Sequence, residues 1–141
     1  MTATYMHIGI PITEKKPNMI YNEAMKFWVS NVDDYDYKVE YLKFEEGTPF
    51  PEELHRRWHV AYAVDDLDRY VDDADRVICD PMDAGPGVRL AFVEKDGAVI
   101  ELYEDKNSDW RLSAAPKTGP PLFRIGLTAK PPIRGRNRSV W

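Results

Sequence analysis

Two histidines and two glutamates occupy matching places in two similar stretches of the sequence. His7 opens the run His-Ile-Gly-Ile and His59 opens His-Val-Ala-Tyr, while Glu40 lies in Val-Glu-Tyr-Leu and Glu101 in Ile-Glu-Leu-Tyr. Each histidine precedes its glutamate, by 33 residues in the first pair and 42 in the second. Imidazole nitrogens and carboxylate oxygens suit Zn, Ni, Co, Mn or Fe(II). The order His-Glu-His-Glu therefore predicts one divalent-metal site built from two related halves.

Alternation of side chains along strands supports this prediction. Because successive strand residues point to opposite faces, we expect His7 to share a face with Tyr5 and Gly9, and His59 to share one with Ala61. Small residues beside both histidines leave room for a ligand. Burying an unpaired carboxylate costs several kcal/mol, so two glutamates within apolar strands require either a cation or a solvated face. The sequence alone leaves both alternatives open.

The elements that position these residues are mostly strands. In the first half, residues 5–12 form a predicted strand, and residues 25–30 and 37–44 a predicted hairpin, with a helix over 20–29 as the alternative. One helical turn is predicted over 51–57. In the second half the predicted order is β-α-β-β-β, with strands at 59–64, 77–80, 88–93 and 98–103, a helix over 65–74 and a loop at 83–87.

Two further residues are candidates for contacting a substrate. Asp96-Gly97 is the strongest hairpin signal in the chain. If the loop were residues 95–97, Arg89 would share the face of Glu101, whereas a two-residue loop would place Arg89 on the other face. His55, the third histidine, lies just before the second half and is either a substrate contact or an exposed helical residue.

The second half also carries a family resemblance. HVAYAVDDLDRY followed by VRLAFVEKDGAVIELYE resembles a module of the vicinal oxygen chelate superfamily, which includes glyoxalase I, bleomycin-resistance proteins and extradiol dioxygenases. The resemblance implies an α+β, glyoxalase-like fold in which two βαβββ modules form a curled mixed-sheet cup. It covers a single domain at residues 1–104, with an abbreviated first module at about 5–57 and a second at about 58–104. The metal ligands it implies are His7, Glu40, His59 and Glu101.

The resemblance implies three functions. A bacterial glyoxalase I-like ligand set implies a metal-dependent isomerase, epimerase or lyase acting on a small oxygenated metabolite, with Glu101 or Glu40 as general base. If Glu40 is not a ligand, His7, His59 and Glu101 remain as a 2-His-1-carboxylate set, which suits an Fe(II) extradiol-type dioxygenase. A relative of the bleomycin-resistance proteins would instead bind a small molecule without catalysis.

Composition narrows the remaining classes. The 141 residues carry a net charge of −5 and one cysteine, and they contain neither a long apolar run nor an evident signal peptide, so we expect a cytoplasmic protein that does not span a membrane. Residues 105–141 form a Pro-rich basic tail, in which 122–129 is a candidate strand. An isolated basic tail on an acidic body argues against nucleic-acid binding. Because such a tail could instead contact a second copy of the chain, we expect a homodimer.

Overall fold

One mixed sheet dominates the part of the chain that the structure describes, residues 1–107 of a computed structural model. Within these residues eight strands lie in the order β2-β3-β4-β1-β5-β8-β7-β6, and the sheet curls into a half-barrel. The strands are β1 (Ala3–Pro11), β2 (Ile20–Asn22), β3 (Phe27–Val29), β4 (Val39–Phe44), β5 (His59–Val64), β6 (Arg76–Gly85), β7 (Val88–Lys95) and β8 (Ala98–Asp105). With helix α1 (Leu67–Asp72), they give the predicted α+β class. The candidate strand at 122–129, and all of the basic tail beyond residue 107, lie outside the described residues.

The two halves of the sheet have the same pairing. β1 is parallel to β4 and β5 is parallel to β8, while β1 and β5 join the halves as an antiparallel pair at the centre. In each half the remaining two strands continue outward as antiparallel neighbours. The chain therefore repeats one strand order about the seam between β1 and β5.

The predicted hairpin of the first half is confirmed, because β3 and β4 are antiparallel, with Phe27 opposite Phe44. The alternative helix over 20–29 is wrong, since these residues include two short strands. Before β5, the described helical segments are 3-10 turns at Val32–Asp34 and Glu52–His55, the second of which lies within the helical turn predicted over 51–57.

Bulges explain two wrong predictions. The expected loop at 83–87 is largely strand, because β6 continues to Gly85 through three irregularities in its pairing with β7. A bulge between Tyr5 and His7 likewise breaks the alternation of β1: Tyr5 pairs with Tyr62, whereas His7 pairs with Ala61. Tyr5 therefore lies on the opposite face from His7. An inserted residue reverses facing without changing composition, so sequence alternation does not reveal it.

Each face of the sheet has its own apolar core. The inner face carries His7, Glu40, His59 and Glu101, and its buried core includes Phe27, Leu42, Phe50, Leu90 and Phe92. On the outer face, α1 packs its buried Leu67 against Ala91, Val93 and Leu102 of the second half. No helix within residues 1–107 is long and apolar enough to cross a membrane.

The helix is tied to the sheet by polar contacts as well. The Asp66 side chain accepts a hydrogen bond from the Arg69 amide and so caps the first turn. The buried carboxylate of Glu104, on β8, accepts a second bond from the Leu67 amide at 2.9 Å. Amides in the first turn of a helix have no partner within the helix, so these carboxylates fix where α1 begins.

Candidate metal centre

The four predicted metal ligands lie on the four central strands, one on each. Gly9 of β1 pairs with Glu40 on one side and with His59 on the other. Ala61 of β5 pairs in the same way with His7 and Glu101. Two adjacent rows of paired residues therefore cross the seam. Each row has a glycine or an alanine at its centre and one histidine and one glutamate at its ends.

These rows bring His7, Glu40, His59 and Glu101, here called the His–Glu cluster, into one compact group. One ligand atom from each residue lies within 4.8 Å of all the others. His7 Nε2 is 3.3 Å from Glu40 Oε1 and 3.5 Å from Glu101 Oε1, and His59 Nε2 is 3.2 Å from the same Glu101 oxygen. Glu101 thus contacts both imidazoles, whereas Glu40 contacts that of His7.

The cluster is buried and its polar atoms are not satisfied by the protein. The four residues are only 1–3% exposed. Five of their atoms make no hydrogen bond to any described residue: His7 Nε2, Glu40 Oε2, both ring nitrogens of His59 and Glu101 Oε2. Buried polar groups nearly always have partners, because an unsatisfied one costs about 1–3 kcal/mol. Several unsatisfied ligand atoms facing one another are what a metal ion would satisfy.

Charge leads to the same conclusion. Among residues 1–107 no lysine or arginine is buried, so no such cation balances the buried carboxylates of Glu40 and Glu101. Burying uncompensated carboxylates costs several kcal/mol each. Two carboxylates and two neutral imidazoles would form a neutral group with one divalent cation. The residues present therefore fit a divalent metal in both donor chemistry and charge, and the cluster can hold one.

Without a cation, the cluster retains a proton. Burial lowers the pKa of His7, but the carboxylates of Glu40 and Glu101 outweigh burial and raise the pKa to about 10. Burial raises the pKa of Glu101, but the two histidines outweigh it and hold that pKa well below its usual range. The proton on His7 thus balances part of the negative charge of the two carboxylates. A metal ion that binds the cluster would have to displace this proton.

The ring of His59 lies against the backbone of β1. A Cβ atom built onto Gly9 would come within 2.1 Å of both Cε1 and Nε2 of His59. The ring of Phe92 meets the imidazole edge-on, with centroids 5.2 Å apart. Strand alternation predicts Gly9 only as a small neighbour of His7 and does not identify Phe92. A glycine inside an apolar strand is the signal that could have indicated a close approach here.

The structure settles the open question about Arg89. Lys95 pairs with Ala98 across a two-residue Asp96-Gly97 loop, which selects the second predicted register. Arg89 therefore lies on the outer face, where its guanidinium bridges Asp68 and Glu104. The register in which Arg89 would share the face of Glu101 is thus wrong, and the predicted contact of Arg89 with a substrate stays a prediction.

His55 is near the inner-face core but is not a member of the His–Glu cluster. Its Nε2 lies 3.0 Å from the carbonyl oxygen of Phe50, and its ring stacks on Phe44 with centroids 4.4 Å apart. These contacts hold the segment between β4 and β5 against the core. The predicted contact of His55 with a substrate stays a prediction.

Comparison with known proteins identifies the fold but no family. No protein-family model and no curated protein sequence matches the chain. Among solved structures, a hypothetical protein from Bacillus halodurans C-125 is similar, with 17% sequence identity and a TM-score of 0.51 over 77% of this chain and 98% of that one. This similarity supports the curled α+β architecture alone.

Proposed function

We propose that this protein is a metal-dependent enzyme of the vicinal oxygen chelate superfamily, of the glyoxalase I-like isomerase, epimerase or lyase type. The observation that carries the proposal is the buried His–Glu cluster, whose ligand atoms face one another without hydrogen-bond partners. Its substrate is a small oxygenated metabolite. The cluster combines chemistry suited to a metal with a carboxylate in position to move a proton.

The fold supports the family assignment. Two halves with the same strand order, each contributing a histidine from its first strand and a glutamate from its last, agree with the two-module pattern that the sequence resembles. The first half lacks an α-helix among its described residues, as an abbreviated module would. These features favour a glyoxalase-like cup over an unrelated mixed sheet.

The acid–base groups of the cluster indicate the type of reaction. A bound divalent cation would supply Lewis-acid polarisation of a substrate carbonyl. On a substrate with a hydroxyl group next to the carbonyl, Glu101 or Glu40 removes the proton from the hydroxyl-bearing carbon and returns it to the carbonyl carbon. The hydroxyl proton passes to the former carbonyl oxygen, so the carbonyl and hydroxyl groups exchange places and the net reaction is an isomerisation. Glu40 is the better candidate for the base, because it contacts one imidazole while Glu101 contacts two and is more firmly held as a ligand.

The surroundings of the cluster narrow the substrate. The inner-face core next to it is apolar and aromatic, and no lysine or arginine is buried among residues 1–107. A substrate carboxylate or phosphate would find no buried cationic side chain there to pair with it. We therefore expect a substrate that carries no carboxylate or phosphate group.

Metal analysis of the purified protein tests the proposal. We expect near-stoichiometric divalent metal in the wild type, and loss of metal in His7→Ala, Glu40→Ala, His59→Ala and Glu101→Ala under matched loading. His55→Ala is the matched control, because it removes the remaining histidine without touching the cluster. Wild-type protein that takes up no metal after reconstitution would contradict the enzyme proposal and favour a non-catalytic small-molecule binder.

The same experiment separates the two enzyme classes. If metal is lost from every cluster variant except Glu40→Ala, and iron is preferred, the 2-His-1-carboxylate dioxygenase replaces the isomerase or lyase. The 3.3 Å approach of Glu40 to His7 favours four ligands over three.

A further inference from the structure

His59 is a buried imidazole whose orientation is not fixed by hydrogen bonds within residues 1–107. Neither of its ring nitrogens has a hydrogen-bond partner there, although both are inaccessible to solvent. In most metal sites, the second nitrogen of a liganding histidine donates to a carboxylate or carbonyl, and this bond sets the ring orientation. The orientation of the His59 ring must therefore have another cause.

Gly9 supplies that cause on one side of the ring. A Cβ at this position would lie 2.1 Å from Cε1, 2.1 Å from Nε2 and 2.7 Å from Nδ1. All three distances are far below van der Waals contact, so the ring occupies the space that any side chain at position 9 would fill. The obstruction would come from the rigid first atom of a side chain, which cannot rotate away.

Phe92 supplies the second contact. Its ring meets the His59 ring at 82°, with centroids 5.2 Å apart, in the edge-on arrangement that aromatic pairs favour. Phe92 is itself 3% exposed and is paired across the sheet with Glu101. The His59 ring is therefore confined between the backbone of β1 and a side chain of β7.

We propose that Gly9 is a positioning residue, which holds the His59 imidazole in its ligand orientation by leaving out a Cβ. The equivalent residue of the other half, Ala61, has a Cβ beside His7, so only one imidazole of the cluster depends on a missing side chain. This inference rests on the proposed metal site. It adds that the site's geometry is set by backbone proximity as well as by the ligands.

Gly9→Ala tests the proposal in protein loaded with Co(II), whose visible absorption reports coordination number and ligand set. We expect this variant to lose Co(II) affinity by about tenfold or more, as for other changes to groups that orient a ligand, and to reproduce the spectrum of His59→Ala. The double variant should bind no more weakly than His59→Ala. Ala61→Gly, which adds no atoms at the equivalent position, is the matched control and should keep the wild-type spectrum.

Unfolding of the metal-free protein keeps the test decisive even if Gly9→Ala folds poorly. Gly9 has no left-handed φ, so alanine suits its backbone, and the nearest obstruction to its Cβ is the His59 ring. Gly9→Ala should lower the urea midpoint in the wild-type background and leave it unchanged or higher in the His59→Ala background. An equal drop in both backgrounds, or a wild-type Co(II) spectrum in Gly9→Ala, would overturn the inference. Absence of Co(II) binding by the wild type would instead overturn the proposed function and leave the unfolding comparison valid.

Discussion

The two halves of the sheet repeat one strand order but build their outer surfaces differently. In the second half, β6, β7 and β8 are eight to ten residues long, and α1 packs on the outer face of β7 and β8. In the first half, β2 and β3 have three residues each, and the loop after β1 takes the place of the helix. That loop places Lys15 over the ring of Trp28 and Lys16 over that of Tyr41. Only the four central strands, which carry the ligands, are closely matched.

This contrast shows which part of the molecule the chemistry constrains. The two rows Glu40–Gly9–His59 and His7–Ala61–Glu101 need a fixed register across the central strands. The outer surface needs only to exclude water from those strands, which a helix or a lysine-capped loop can each do. We therefore expect substitutions of the cluster residues and of Gly9 to affect metal binding, and substitutions at the periphery to affect stability alone.

The largest effect is expected within the cluster, and it should differ between the halves. Glu101→Gln removes the carboxylate that contacts both imidazoles, whereas Glu40→Gln removes one that contacts His7 alone. We expect both to weaken zinc binding by more than the roughly 10–100-fold typical of changes to residues that only orient a ligand, and Glu101→Gln to be the weaker binder. Competition with a chromophoric chelator measures both constants. Equal losses would indicate that the metal draws on both halves evenly.

Loss of Leu67 should have the next largest effect and should be confined to stability. This side chain is fully buried where α1 meets the second half, so Leu67→Ala should lower the free energy of unfolding by about 2–5 kcal/mol. Tyr41→Ala, on the half-buried outer face of the first half, should cost less. Urea unfolding gives both values. Zinc affinity should be unchanged in both variants. A large loss of affinity would contradict the expectation that peripheral substitutions affect stability alone.

The sequence predicts the strand pairing, the helix and the cluster residues, but not which face of the sheet some side chains occupy. Pairing of the hairpins and the location of α1 follow from the alternation of apolar residues and from Asp-Gly and Asp-Asp-Leu signals, and the four cluster residues follow from the repeated His-Glu order. The face of Tyr5 and the extent of β6 did not follow, because bulges change facing without leaving a compositional mark. The face of Arg89 depended on one residue of loop length, which composition leaves open.

A smaller effect is expected from pH. Rising pH should lower the stability of the metal-free protein but increase its apparent affinity for zinc. In the metal-free protein the pKa of His7 is raised to about 10, so protonation of His7 stabilises the fold fully below its unfolded pKa of about 6.5, and this contribution is lost as pH rises toward 10. Zinc must displace that proton, so apparent zinc affinity should increase over the same range.

Urea midpoints of the metal-free protein at pH 7 and pH 9.5 test the expected loss of stability with rising pH. We expect a lower midpoint at pH 9.5 in the wild type and a flatter dependence in His7→Gln, which cannot take up the proton. Isothermal titration in two buffers of different ionisation enthalpy then counts the protons that zinc releases. If no proton is released at pH 7.5, the metal-free cluster does not hold the imidazolium assigned to it.

The smallest effects should come from two lysines, one in each half, that contact the segment covering the outer face of the sheet. Lys16 lies over Tyr41 in the first half, and Lys95 binds the carbonyl oxygen of Asp73 at the end of α1 in the second. Exposed contacts of either kind are worth about 0.5–1 kcal/mol. Lys16→Met keeps the methylene stem and removes the charge. If Lys16→Met loses as much stability as Lys16→Ala, the charge holds the loop on Tyr41. If Lys16→Met keeps wild-type stability, the apolar stem holds it. If Lys16→Met is wild-type while Lys95→Met is destabilised, only the half that has a helix relies on charge to keep its covering in place.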